Sequence, residues 1–212
     1  MIDSDDSSTD EVDINEADRN IEGKFHQGFV SGWDDDNEGI EEEEKPRETP
    51  EKEILWAAEN GDIQRVSELL ASNCNLTRVT DKDGYTPLHR AAYNNHIQVV
   101  NILLEYGADL HALTMDKWTP LHSACHWNSA PCVEKLISLD VNVNAQTEGG
   151  LTPLHLAAQS GQSSETIQAL LLHPNIDINL KNNSDETAYD IAVRKGRLGK
   201  YFEIAEPCFN FV

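Results

Sequence analysis

His122, Cys125 and His126 stand at i, i+3 and i+4, with Cys132 shortly beyond. On a helix the first three would share one face. Imidazole and thiolate at that spacing are the ligands of tetrahedral zinc. Ser123 lies beside His122, which pairs the residue types of an activated nucleophile and its base. Neighbours i and i+1 on a helix do not face each other, so that pair has no catalytic geometry. The chain has no Gly-rich phosphate loop and no Gly-x-Ser-x-Gly elbow.

The surroundings of His122 decide between metal and structure. The string Thr-Pro-Leu-His occurs at Thr86–His89, Thr119–His122 and Thr152–His155, in steps of 33 residues. Around His89 and His155 no cysteine accompanies the histidine. His122 is therefore expected to serve the repeat, its imidazole bonding backbone near a turn. Cys125 occupies an alanine position and is expected to be a small buried hydrophobe. No metal, no cofactor and no catalytic residue is expected, and the chain is not expected to be an enzyme. A degraded copy, Thr187-Ala188-Tyr189-Asp190, follows 35 residues after the third. Ala57-Ala58 lies 34 residues before Ala91-Ala92, marking an earlier copy that lacks its Thr-Pro start. Self-similarity at this period is the signature of a solenoid.

The elements that must position these residues follow from one unit. Thr86 can cap a helix with Pro87 at its first position, where the missing N–H is no loss. Ala91 and Ala92 let two helices approach closely. Ile97, Val99, Val100, Leu103 and Leu104 give a second apolar helical face. Gly107 follows it as a left-handed terminator. Turns such as Asp81-Lys82-Asp83-Gly84 and Thr147-Glu148-Gly149-Gly150 lead to the next Thr-Pro. One unit cannot cover its own apolar faces, and stacked units can. Lys117 and Asp185 replace Gly at the turn tip. Asp140 and Asn175 replace it at the second-helix exit, where both types tolerate the left-handed conformation. Two extra residues near Gln162–Glu165 are expected to lengthen a loop.

These motifs resemble the ankyrin repeat family, from about Ile54 to about Val212. The resemblance implies an all-α solenoid of about five helix-turn-helix repeats with short turn or hairpin tips. The expected repeats are 51–80, 81–113, 114–146, 147–181 and 182–212. It also implies that partners contact the turn tips and the ends of the first helices. Carried over residue by residue, the protein-binding positions are Tyr85, Tyr93 and Asn94 in one repeat and Met115, Trp118, His126 and Trp127 in the next. Leu151 and Gln159 follow in the third. Trp and Tyr are favoured interface anchors. Tyr85 and Trp118 can equally pack on a neighbouring repeat, whereas Trp127, at a helix end, is expected to be exposed. Asn144 resembles the asparagine that asparaginyl hydroxylases modify in such repeats, or it simply bonds its loop.

Charge sets the remaining bounds. The 212 residues carry a formal charge of −22, which disfavours direct contact with nucleic acid or an anionic membrane. Residues 1–53 hold 20 acidic and 5 basic side chains, with few aliphatics. Such a segment cannot offset the entropy of ordering, so residues 1–50 are expected to be a disordered acidic tail ending in a linker, Lys45 to Pro50, with the repeat domain over 51–212. Ser7, Ser8 and Ser31 each have an acid three residues on, a pattern that acidophilic kinases favour. The start lacks a basic and apolar leader, and no apolar run approaches a membrane span. A monomer in the cytoplasm, the nucleus or both is expected, neither secreted nor transmembrane. The expected function is a non-catalytic module, an adaptor or regulator, that recognises a protein on the concave ankyrin face. The alternative is a charge-shielding factor whose acidic tail captures a basic partner.

Overall fold

A computed structural model describes residues 48–139, 141–160, 164–196 and 198–203. Of the acidic segment read as a disordered tail, residues 1–47 lie outside the described residues, Ser7, Ser8 and Ser31 among them. So do Asp140 and most of the loop around Gln162.

Among the described residues the elements are helices joined by turns. α1 spans Pro50–Asn60 and α2 spans Ile63–Ser72, followed by a 3-10 turn, Cys74–Arg78. The next three pairs are α3 (Pro87–Tyr93) with α4 (Ile97–Glu105), α5 (Pro120–His126) with α6 (Ala130–Ile137), and α7 (Pro153–Ser160) with α8 (Ser164–Leu171). α9 spans Ala188–Lys195, and residues 199–203 are again helical. None of these helices is long and apolar enough to cross a membrane.

The capping chemistry anticipated for Thr-Pro is what starts the first helices. Thr86 and Thr119 cap α3 and α5 with proline in the first turn, and Thr187 caps α9 in the same way without it. Thr49 and Pro50, read above as the end of the linker, do the same for α1. α1 is one turn longer than α3, so its Thr-Pro falls outside the period that aligns the alanines.

α1, α3, α5, α7 and α9 pack in succession as one row, and α2, α4, α6 and α8 form a second. The first row can pack closely because Ala57, Ala91, Ala124, Ala157 and Ala192 are all buried within it. Between the rows lie Val66, Leu70, Val99, Leu103, Val133, Leu136, Ile167 and Leu170. At the C-terminal end Leu198 and Phe202 are buried against the last helix.

Four turns recur beyond the first row. Each is closed by an N–H to carbonyl bond: Asp81 to Tyr85 at 3.1 Å, Thr114 to Trp118 at 3.0 Å, Thr147 to Leu151 at 2.9 Å and Asn182 to Glu186 at 3.0 Å. The tips also bond to one another, through Met115 N–H to Asp83 O at 2.9 Å, Glu148 N–H to Asp116 O at 2.9 Å and Asn183 N–H to Gly149 O at 3.0 Å. At the tip position Lys117 and Asp185 take φ of 62° and 61°, the left-handed conformation that Gly84 and Gly150 take in the other units. At Gly150 a side chain would also meet Asn183 Oδ1 at 2.6 Å. Asn175 is not left-handed. Pro174, with its fixed φ, turns the chain one residue earlier, and Ile176 N–H bonds His173 O at 3.1 Å. The left-handed asparagines lie elsewhere. Asn95 (φ 59°) and Asn128 (φ 57°) sit between paired helices, where Gly61 and Gly196 have φ of 71° and 79°.

Candidate functional site

The histidines define what part of each repeat is scaffold. The Thr86 N–H donates to His89 Nδ1 at 3.2 Å, and the Thr86 hydroxyl donates to the same nitrogen at 2.8 Å. Nδ1 is therefore an acceptor and the proton sits on Nε2, which donates to Trp118 O at 3.1 Å. His122 repeats the pattern, its Nε2 reaching Ala145 O at 3.0 Å and Leu151 O at 3.2 Å. His155 reaches Glu186 O at 3.1 Å. Each imidazole thus ties its own cap to the residue that precedes the next capping threonine. With both nitrogens of His122 engaged, its role is the backbone-bonding one anticipated from the repeat. Burial opposes protonation and holds His89 and His122 down to about 4. Asp190 stands in for histidine in the last copy. Its carboxylate accepts from the Thr187 N–H at 2.8 Å and hydroxyl at 2.7 Å, but it has no second donor to send onward.

Cys125 and Cys132 are buried. Desolvation raises both thiols, Cys132 to about 12. Both are core side chains rather than thiolates poised for chemistry.

Beside this scaffold lies a group of half-buried and exposed rings. Tyr93 ends α3, and Trp127 follows α5 in the next repeat. Their ring centroids are 4.5 Å apart and tilted by 47°. Trp127 also meets His126 edge-on at 5.2 Å, and His126 meets Trp118 edge-on at 5.3 Å. Tyr93, Trp127, His126 and Trp118 therefore form one continuous run across two repeats. Trp127 is 45% exposed and Met115, on the adjoining tip, 72%. Trp118 is half-buried and packed on the core. Burial lowers the His126 pKa, so the ring is neutral at pH 7.

The other expected contact residues divide. Tyr85 is half-buried, edge-on to His89 at 5.7 Å, with the Arg90 guanidinium 5.3 Å from its ring centroid. Asn94 is exposed and donates its amide to Glu59 O at 2.9 Å. Leu151 is half-buried against the core, and Gln159 is exposed; neither has a ring contact with the aromatic run. Asn144 donates its amide to Asn175 O at 2.7 Å and accepts from Asp177 N–H at 3.0 Å, so both ends of its side chain join neighbouring loops.

Arg90 was missed by the sequence reading. It pairs with Asp81 and, at 3.6 Å, with Glu59 while lying over Tyr85. The available signal was positional, since the same slot holds Ser123, Leu156 and Ile191 in the following units.

Sequence comparison places relatives beside this geometry. The family model for ankyrin repeats, three copies long, matches residues 54–147, 110–182 and 139–206. A protein of Bos taurus named ankyrin repeat domain-containing protein 49 is 53% identical over 193 residues, covering 87% of this chain and 81% of its own. The Homo sapiens protein of that name is 54% identical over 169 residues, covering 80% and 71%. The Drosophila melanogaster one is 52% identical over 183 residues, covering 86% and 85%.

Proposed function

The chain belongs to the ankyrin repeat family, and from that premise we propose that it is a non-catalytic adaptor or regulator that binds a protein on the concave face of its repeats. Ankyrin repeats generally mediate protein–protein interaction. The observation that carries the finer reading is the run from Tyr93 through Trp127 and His126 to Trp118, in which Trp127 is 45% exposed and the other rings are half-buried. Large, rigid rings give contact area at small entropic cost, which is why they dominate binding hot spots. The protein acts as a monomer in the cytoplasm, the nucleus or both, without direct contact to nucleic acid or membrane. Residues 51–212 form its repeat domain.

The test is site-directed cross-linking in cell extract from a photoreactive residue at Met115, in the parent and in Trp127→Ala. A protein adduct that Trp127→Ala abolishes supports recognition on this face. Adducts that persist unchanged in Trp127→Ala, or that arise only from a photoreactive residue placed among the acids of residues 1–50, overturn it in favour of charge capture by the tail. Salt separates the same two readings, because tail-driven binding weakens steeply with ionic strength and aromatic contacts do not.

A further inference from the structure

The first row of helices buries two slots in every unit that has a successor. One slot holds Ile54, Leu88, Leu121 and Leu154, all fully buried. The other, four residues on, holds Ala58, Ala92, Cys125 and Ala158, again fully buried. In the last unit these slots fall to Tyr189 and Val193. Tyr189 is half-buried and Val193 is 51% exposed. Their neighbours Ile191 and Ala192 stay buried, so the loss of cover is confined to the side of α9 that a sixth unit would occupy.

The chain leaves the described residues at the edge of that side. Gly199 lies against Val193, where an added side-chain carbon would meet Val193 Cγ2 at 3.1 Å. Phe202 meets the Tyr189 ring at a centroid distance of 5.9 Å, and Glu203 Oε1 accepts from the Tyr189 hydroxyl at 3.4 Å. Residues 199–203 therefore run back along α9 from Val193 to Tyr189. The nine residues that follow, 204–212, are unlike the rest of this acidic chain. Ile204, Ala205, Cys208, Phe209, Phe211 and Val212 are apolar, and Glu206 is the one charge. Pro207 cannot continue a helix. Beyond it Phe209 and Phe211, two apart, share one side of an extended strand. Nine extended residues reach about 30 Å, whereas Tyr189 and Val193 are one helical turn, about 6 Å, apart.

Val193 also narrows what fits there. The earlier slots hold Ala or Cys, small enough for the next first-row helix to come close. A valine in that slot overpacks such a contact, whether the helix belongs to a sixth repeat or to α1 of a second copy. A single extended strand has no such bulk.

We propose that residues 207–212 turn back across α9, seat Phe209 and Phe211 on Val193 and Tyr189, and close the apolar end of the stack in place of a sixth repeat. A solenoid end left apolar is a surface on which chains associate, so the same strap keeps this end from pairing with another copy. The strap stands apart from the aromatic run and holds whatever that run binds.

The experiment uses the full chain with a photoreactive phenylalanine in place of Phe209. Irradiation in dilute solution is expected to join residue 209 to residues 188–195 of the same molecule, read by mass spectrometry of the peptides. Adducts that link two chains overturn the strap in favour of a second copy. Adducts scattered over the surface, or none, overturn it in favour of a solvated segment. A thermal double-mutant cycle tests the same contact without a label. Phe209→Ser/Phe211→Ser and Val193→Ser are each expected to lower the melting temperature by about 3 °C. Combined, they should lower it by clearly less than the sum, because each alone already removes the shared contact. Shifts that simply add would show that the rings and Val193 do not meet, and overturn the proposal.

Discussion

His89 Nε2 lies 3.1 Å from the carbonyl oxygen of Trp118, across 29 residues of sequence. The imidazole that completes one helix cap thereby fixes the backbone just before the next cap, and His122 and His155 do the same in turn. The stack is coupled by buried neutral donors as well as by apolar contact.

Replacing such a histidine removes a cap acceptor and orphans a carbonyl together. His122→Leu is expected to cost about 2–4 kcal/mol, since the Thr119 N–H and the Ala145 carbonyl lose their partner in a buried setting, while Leu151 O keeps only the Thr147 N–H. Asp190→Asn at the matching place in the last copy should cost clearly less, because only the local cap is touched. Urea denaturation of both variants checks the order, and equal losses would contradict the coupling role.

The same histidines make stability depend on pH. Their native pKa lies near 4 for His89 and His122, below the ordinary value of about 6.5. Between those values the unfolded chain binds protons that the native chain refuses. Stability is therefore complete above about pH 6.5 and falls as pH drops toward 4, by about 2 kcal/mol per histidine at pH 5. The urea midpoint should move down between pH 7 and pH 5, and His122→Gln should reduce that movement. A midpoint that stays constant over this range would mean that the imidazoles protonate freely in the folded state.

Ala124 sits at zero exposure in the first row of helices. Ala124→Leu should overpack the contact and cost about 1–3 kcal/mol, read as a lower melting temperature. An unchanged melt would place this helix face away from its neighbours.

Lys117 holds φ of 62° on an exposed tip, a conformation that is costly for side chains other than glycine. Lys117→Gly should raise stability by about 0.5–1 kcal/mol, the backbone relief exceeding the added freedom of glycine in the unfolded chain. A loss of stability would show that the lysine side chain makes a compensating contact.

Trp127→Ala separates packing from recognition. The contact with Tyr93 is worth about 1 kcal/mol of stability, whereas loss of a hot-spot ring should weaken partner binding by at least about 2 kcal/mol. Thermal melts and a binding assay on the same preparation read both. A larger stability loss with binding intact would make Trp127 a structural residue.

What the sequence determined by itself was everything that depends on neighbours along the chain or on the period. The Thr-Pro caps, the paired alanines, the histidine beside three of the caps and the replacement of Gly by Lys117 and Asp185 at the turn tips all follow from local conformational chemistry repeated in register. Where the local cue was shifted or shared, it misled. Thr49-Pro50 lay one turn out of phase and read as linker. Pro174 took the bend from Asn175, and Asn95 and Asn128 hid a position that Gly61 marks in the first unit. Only the tertiary structure decided which variable side chains meet. Tyr93 and Trp127 touch across a repeat boundary, and Arg90 gathers Tyr85, Asp81 and Glu59 from two repeats. These contacts depend on the rotation and rise from one repeat to the next, and on rotamers settled by side chains dozens of residues away. A repeating pattern fixes the frame that presents such residues, while packing between frames selects their partners.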